Sequence, residues 1–346
     1  MSDIVNTTLK ATQEAFENLN KHPSEWPTPT IVLVCTTAVV GLWILSKLCS
    51  SKKVDAPKLP EKSNAGVYRK EDFEADTKGG ALQVCEKDED DFISLKLVKR
   101  TKVTHDTYYF RFAFPSPDME FGLPIGGHVI FYANVFNPAT NKEEEIGRKY
   151  TPTSKLHQKG YCEFIIKVYH ANVHPAFPHG GLMTQYLEKM QVGDSMKMEG
   201  PKGKINYLGR GNFSISKAPH VKTKIGMIAG GSGITPLFQI IQAVVETKDK
   251  VDLTLLFGNK SEKDILIREE LEQLRDDYPD RFKLHYIIDK PEHPETWTHE
   301  TGYITQEILE RLMPASGDET IILTCGPKIM NDLALKFLPN HVVHKF

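Results

Sequence analysis

The sequence predicts an antiparallel β-barrel domain followed by an α/β doubly wound parallel-sheet domain, with an N-terminal transmembrane helix ahead of both. Three observations predict this. Between Phe92 and Tyr207, short stretches of alternating β-branched and aromatic residues are separated by turn signals. From Lys222 onward, strand-like apolar runs alternate with helix-like ones, the pattern of a parallel sheet covered by helices. Near the N-terminus, Ile31 to Leu48 is almost wholly apolar.

Composition agrees with two globular domains plus additional sequence: of 346 residues, 25% are charged and 40% hydrophobic, as in a folded protein. The formal net charge of −2 gives no reason to expect a nucleic-acid partner. The 5 cysteines (Cys35, Cys49, Cys85, Cys162, Cys325) show no paired spacing. That argues against a disulfide framework or a structural metal site and places the globular part in a reducing compartment.

Residues 1–29 are polar and carry Val5, Leu9, Thr12, Phe16 and Leu19 as a stripe suited to a short amphipathic helix, with a partly disordered tail as the alternative. Residues 30–48 form the expected transmembrane helix. Its apolar run of roughly 18 residues reaches about 27 Å, near the lower limit for a bilayer core. Trp26 and Trp43 stand where indoles meet the interfaces, and Lys47, Lys52 and Lys53 follow the span, which puts residues 50–346 on the cytosolic side. Residues 49–91 are rich in Lys, Glu, Asp, Gly and Pro without an apolar period and read as a tether.

Residues 92–215 make up the barrel, with strands expected at Ser94–Val98, Thr107–Phe114, His128–Val135, Glu163–Tyr169 and Asp194–Glu199. Gly181 to Met190 reads as a short helix whose N-terminus is open to an anion. Residues 222–346 begin with an apolar strand ending in Gly230-Gly231-Ser232-Gly233, then a helix with Pro236 in its first turn. Glycines let the backbone turn sharply and approach a ligand, while the free N–H groups of the helix start favour a pyrophosphate. Taken alone, such a turn also fits a plain tight connection. Next come strand Asp252–Phe257, a helix capped at Ser261, strand Phe282–Asp289, helix Ile304–Leu312, strand Thr320–Cys325 and helix Lys328–Phe337. A ligand is expected at the carboxyl ends of these strands.

Four motifs fall on these elements in order: Arg148-Lys149-Tyr150-Thr151-Pro152-Thr153-Ser154, Gly180-Gly181-Leu182-Met183-Thr184, Gly230 to Pro236, and Cys325-Gly326-Pro327-Lys328-Ile329-Met330. Together they resemble the NADH-cytochrome b5 reductase family, within the ferredoxin-reductase-like FAD/NAD flavoproteins, over about residues 92–346. The resemblance implies FAD and NADH as cofactors and no metal. For FAD it implies that Arg148 grips the pyrophosphate with a planar fork that keeps its charge. Tyr150, Thr151, Ile165, Ile166, Lys167 and Tyr169 would wall the flavin, Gly181, Met183 and Thr184 would hold the pyrophosphate, and Thr235 would reach the flavin from the second domain. For NADH it implies Gly231, Ser232 and Gly233 at the pyrophosphate, Phe257 at the adenine and Asp289 at the adenine ribose. Cys325, Gly326, Pro327, Met330 and Phe346 would surround the nicotinamide. Thr151, His128 and Cys325 are the residues implied at the chemistry, His128 by extending a hydrogen-bond network from Thr151. No activating base pairs with Cys325, which reads as a positioning residue.

Several positions depart from the family pattern, including Lys149, His170, Leu182 and Lys328-Ile329. Leu182 stands where many members carry lysine, which leaves the electron acceptor less defined than the donor. Asn137 to Glu145 is longer than usual and reads as a solvated hairpin. The resulting expectation is a monomeric, membrane-anchored flavoprotein that takes a hydride from NADH onto FAD and passes electrons to cytochrome b5 or a similar acidic haem protein, steered by Lys167, Lys202 and Lys204. It would sit as a single-pass protein of the endoplasmic reticulum or the mitochondrial outer membrane. The alternatives are another acceptor (a quinone, ferric chelate or desaturase component) or an inactive NADH-sensing module.

Overall fold

The computed structural model describes residues 92–346 apart from positions 156, 174 and 176. The expected amphipathic stripe, transmembrane helix and tether lie outside the described residues. Among the described residues, no helix is long and apolar enough to cross a membrane.

The first half is a six-stranded sheet of β1 (Phe92–Lys102), β2 (Thr107–Ala113), β3 (His128–Asn137), β4 (Lys142–Tyr150), β5 (Tyr161–Lys167) and β6 (Ser195–Lys202). Each strand buries one face: in β1, Ile93, Leu95 and Leu97 are buried while Ser94, Lys96 and Val98 are exposed. The strand order is β4-β3-β6-β1-β2-β5 and every pairing is antiparallel. Strands β3 and β5 stand four pairings apart, about 19 Å in a flat sheet. Yet the rings of Phe131 and Phe164, one on each strand, lie 4.9 Å apart. The sheet is therefore strongly curled around an aromatic core. The expected antiparallel barrel is an open one, with β4 and β5 as the edges of its strand order.

Sequence reading missed β4 because its Lys-Glu-Glu-Glu start lacks apolar alternation, as suits an edge strand. The long acidic segment is the β3–β4 hairpin itself: Asn141 takes a positive φ of 56°, and Glu143 to Glu145 pair with Phe136 to Asn134. A small antiparallel sheet of β7 (Ile205–Tyr207), β8 (Asn212–Ile215) and β9 (Ala218–Val221) was also unforeseen, its strands being too short to show a period. Helix α1 (Leu182–Lys189) forms where expected.

The second half is a wholly parallel sheet of β10 (Lys224–Gly230), β11 (Asp252–Asn259), β12 (Phe282–Ile288), β13 (Glu300–Thr301), β14 (Thr320–Cys325) and β15 (Val343–Lys345). Its order is β13-β12-β11-β10-β14-β15. Helix α2 (Ile234–Glu246) is buried at every position from Ile234 to Ile241. It is enclosed because it packs on the sheet and also bonds to the first half: the Gly126 N–H donates to Gln239 Oε1, and Gln242 Nε2 donates to the Thr153 carbonyl at 3.5 Å.

Two helix starts differ from expectation. Ser261 does not cap a helix. Glu262–Asp264 is a single 3-10 turn, Ile267 adopts φ 49°, and helix α3 (Arg268–Asp277) begins only then. Ile265, Leu266 and Ile267 are all buried, which one face of a helix cannot achieve for three successive residues. Helix α4 (Gln306–Leu312) starts after Thr305, whose hydroxyl accepts from the Ile308 N–H at 3.3 Å. Helix α5 (Lys328–Phe337) has the expected bounds.

Candidate cofactor site

Strand order in the parallel sheet reverses between β10 and β14: β11 and β12 follow on one side, β15 on the other. Such a switch point opens a crevice at the carboxyl ends of the two strands. Both glycine motifs meet there. A Cβ on Gly233 would lie 2.0 Å from the Cys325 carbonyl oxygen, and one on Gly326 would lie 2.9 Å from Gly230 Cα. The turn and the end of β14 thus pack main chain to main chain, which only glycine permits. Gly231 has φ 53° and open space around its Cα, and Thr235 braces the turn by donating to the Ser232 carbonyl at 3.2 Å.

The first half presents the end of β4 and the start of α1. Arg148 is exposed and donates to the carbonyl of its neighbour Gly147 at 2.8 Å; among the described residues it forms no salt bridge. Tyr150 lies tilted against Phe131 with ring centroids 4.6 Å apart, and burial pushes its phenol well above the ordinary range. Thr151 and Thr153 are buried, and the Thr153 hydroxyl has no hydrogen-bond partner among the described residues. Ahead of α1, the Gly181 N–H donates to the Tyr169 carbonyl, the Tyr169 N–H donates to Thr184 Oγ1, and Thr184 donates to the Gly181 carbonyl. Tyr169 then spans to the glycine turn, its hydroxyl 3.5 Å from Ser232 Oγ.

These features fit a dinucleotide: a guanidinium with no carboxylate partner among the described residues, a helix start opened by glycine, and a second glycine turn with room above it. A separate cavity of about 550 Å³ lies at the amino ends of β10, β11 and β12, lined by Lys224, Asp252, Arg281 and Arg311 among others. It is at the wrong end of the sheet for a nucleotide.

Other expected residues fall elsewhere. Ile165 packs into the core of the second half, whereas Ile166 and Met183 lie in the core of the first, so that Met183 offers its main chain at the helix start. Phe257 is 0% exposed, packed near Tyr286, and shows no face to an adenine. Asp289 is exposed just past β12, and Met330 is buried beneath Gly230 and Gly326. Pro327 packs on Gly230 from the start of α5. Phe346 is an ordered end: its N–H donates to the Thr324 carbonyl at 3.1 Å and its ring approaches Gly126.

His128 is half-buried, and burial, with Lys149 and Lys202 nearby, lowers its pKa to about 4. It is neutral at neutral pH. His128 and Thr151 are the next positions along the β3–β4 register beyond the pair Val129 and Tyr150. Burial pushes the Cys325 thiol up to about 11 despite Lys149, the direction that makes a sulfur less reactive. Lys167 is not a free steering cation, being held between Asp106 at 2.8 Å and Asp264 at 2.7 Å, and Lys202 pairs with Glu199. Sequence reasoning missed Asp106, Asp264, Gln239 and Gln242. The two glutamines left one signal, polar residues inside an otherwise apolar helix.

A curled antiparallel sheet and a switch-point glycine crevice, facing each other across Tyr169 and Ser232, define an oxidoreductase of the FAD- and NAD-binding class. Residues 94–207 match the oxidoreductase FAD-binding domain and residues 227–336 the oxidoreductase NAD-binding domain. The chain is 41% identical over 259 residues to NADH-cytochrome b5 reductase 1 of Rattus norvegicus, covering 73% of this chain and 82% of that protein. It is 44% identical over 255 residues to NADH-cytochrome b5 reductase 3 of the same organism, covering 71% and 81%. The chain belongs to the NADH-cytochrome b5 reductase family. It is also 40% identical over 245 residues to nitrate reductase [NADH] of Spinacia oleracea, covering 70% of this chain but spanning only 26% of that protein's length. The crystal structure of the cytochrome b5 reductase domain of Ulva prolifera nitrate reductase aligns with a TM-score of 0.69 at 34% identity, covering 75% of this chain and 98% of that one.

Proposed function

We propose that this protein is a membrane-anchored flavoprotein oxidoreductase that takes a hydride from NADH onto FAD and passes single electrons to cytochrome b5. The observation that carries the reading is the main-chain contact between the Gly231–Gly233 turn and Cys325-Gly326, directly across from Tyr169. FAD, when bound, supplies the capacity to accept an electron pair and release it one electron at a time.

The protein's part is to bind, orient and exclude. Arg148 and the start of α1 hold one pyrophosphate, and Tyr150 and Thr151 line the flavin. Gly231, Ser232 and Gly233 hold the other pyrophosphate at the start of α2. Asp289 accepts from the ribose hydroxyls and repels the additional phosphate of NADPH, which favours NADH. Cys325 and Gly326 shape the nicotinamide berth, where close and aligned reactants account for most of the acceleration.

Cytochrome b5 as the acceptor draws support from the reductase relatives, and another acceptor from the similarity to nitrate reductases. Steering of an acidic haem protein falls to Lys204 and Lys149, both exposed. Anchoring through residues 31–48, a cytosolic orientation at the endoplasmic reticulum or mitochondrial outer membrane, and a monomeric state are proposed on the amino-acid pattern. The test is stopped-flow absorbance of the full chain in detergent, mixed anaerobically with NADH or NADPH and then with oxidised cytochrome b5. Fast bleaching by NADH followed by haem reduction is expected. Bleaching without haem reduction would transfer the reading to another acceptor, and a protein that binds no flavin would overturn it.

A further inference from the structure

The two halves are joined by an ion triad that no motif announced. Asp106, in the turn between β1 and β2, is fixed to the first half: the hydroxyls of Thr104 and Thr107 donate to its Oδ1 at 3.2 and 3.1 Å, and its carbonyl accepts from the Val168 N–H at 2.7 Å. Lys167, at the end of β5, places its Nζ 2.8 Å from Asp106 Oδ2 and 2.7 Å from Asp264 Oδ1. Asp264 belongs to the second half, in the 3-10 turn after β11, where Ser261 Oγ donates to its Oδ2 at 2.7 Å. The side chains of Lys167, Asp106 and Asp264 are only 16%, 13% and 12% exposed. An ion pair this sheltered is screened little by salt, and losing one member leaves a desolvated charge behind.

The position of this bridge matters more than its strength. Two residues beyond Lys167 stands Tyr169, whose hydroxyl meets Ser232 in the glycine turn. On the other side, Glu262 of the same 3-10 turn accepts from the Glu292 N–H at 3.1 Å, and Lys263 pairs with Glu292 at 2.9 Å. Glu292 follows Asp289 by three residues. The triad therefore lies between the two places where a dinucleotide spanning the crevice would be gripped. Beside it, Tyr109 of β2 packs into the core of the second half. The opposite end of the interface is held by neutral contacts, Gln239 to Gly126 and Gln242 to Thr153.

We infer that Asp264 is a positioning residue for hydride transfer: through Lys167 and Asp106 it sets the spacing of the glycine turn against the flavin-binding half. The inference rests on the NADH-to-FAD reading above. Asp264 touches neither cofactor in this role. Its loss lets the nicotinamide half shift while the flavin half stays intact, and a misplacement on the order of 1 Å costs up to about a hundredfold in rate.

The test uses the full chain loaded with FAD, in detergent, and compares Asp264→Asn, Asp264→Glu and Ser261→Ala with the unmodified protein. Asp264→Asn is expected to retain FAD and to bleach about tenfold more slowly at saturating NADH. It should also show a weaker long-wavelength absorbance, the signature of nicotinamide and reduced flavin rings in contact. Asp264→Glu is expected to recover most of the rate and the absorbance. Ser261→Ala removes only the hydroxyl that holds Asp264, so it should slow bleaching about threefold, and it reports even if the asparagine variant fails to fold. Bleaching at the unmodified rate in Asp264→Asn and Ser261→Ala overturns the role, as does a glutamate variant no faster than the asparagine one. Loss of FAD from Asp264→Asn also overturns it, since the effect would then lie in the flavin half. An unmodified protein that NADH does not bleach sinks the hydride reading itself, which separates the two failures.

Discussion

A Cβ on Gly233 would come within 2.0 Å of the Cys325 carbonyl oxygen, so the glycine turn and the end of β14 are in direct main-chain contact. The obstacle is backbone, which cannot rotate away as a side-chain end would. Gly233→Ala is expected to separate the two strand ends at a cost of about 3 kcal/mol. Thermal unfolding would read that loss, and the NADH concentration needed for half-maximal bleaching should rise with it.

Gln239 accepts from the Gly126 N–H in a buried setting between the halves. Gln239→Leu keeps the volume and leaves that donor without a partner. The expected destabilisation is about 1–3 kcal/mol, measured by denaturant unfolding, and Gln239→Glu should recover part of it by restoring an acceptor.

The pKa of His128 is held near 4, below the ordinary 6.5, by burial and by Lys149 and Lys202. With the folded value depressed, the unfolded chain binds the proton more readily at acid pH. Stability from this group is therefore full above pH 6.5 and declines as pH falls toward 4. In His128→Gln the unfolding free energy should decline less steeply through that window.

Burial raises the Cys325 thiol from about 9 to about 11. At pH 8 its thiolate fraction is then about a hundredfold lower than that of an ordinary cysteine. Iodoacetamide labelling at Cys325, followed by peptide mass spectrometry, is expected to be slower by about that factor. Cys325→Ala should retain FAD and alter NADH turnover through positioning alone.

With Lys167 committed to its carboxylates, the proposed attraction of an acidic haem protein would rest on Lys204 and Lys149. Lys204→Glu is expected to slow haem reduction several-fold at low salt and to flatten its salt dependence, leaving bleaching by NADH unchanged. Equal salt slopes in the two proteins would remove Lys204 from the docking surface.

Much of the fold was legible because its signals are local. Glycine at Gly231 and Gly233, the alternation of β1 and the apolar run of β10 each report the geometry of their own few residues, and all fall on the expected elements. The failures have a common cause. Edge strand β4 and the short strands β7 to β9 have partners but little period of their own. The helix expected at Ser261 dissolves into a 3-10 turn because Ile265, Leu266 and Ile267 must all be buried.

The site divides in the same way. Motif residues such as Arg148, Tyr150 and the two glycine clusters were legible, since backbone freedom and a permanent cation are properties of single residues and short turns. Whether a side chain faces the crevice or the core depends on neighbours distant in sequence: Phe257 and Met183 are consumed by the core. Lys167 and Asp264 are 97 positions apart. The sequence by itself determined the two-domain class, the cofactor pair and the glycine turns between strand and helix. Only the tertiary structure decided which cations are free, which are bound across the halves and what holds the halves in register, because a buried ion pair exists only where the fold brings opposite charges out of water together.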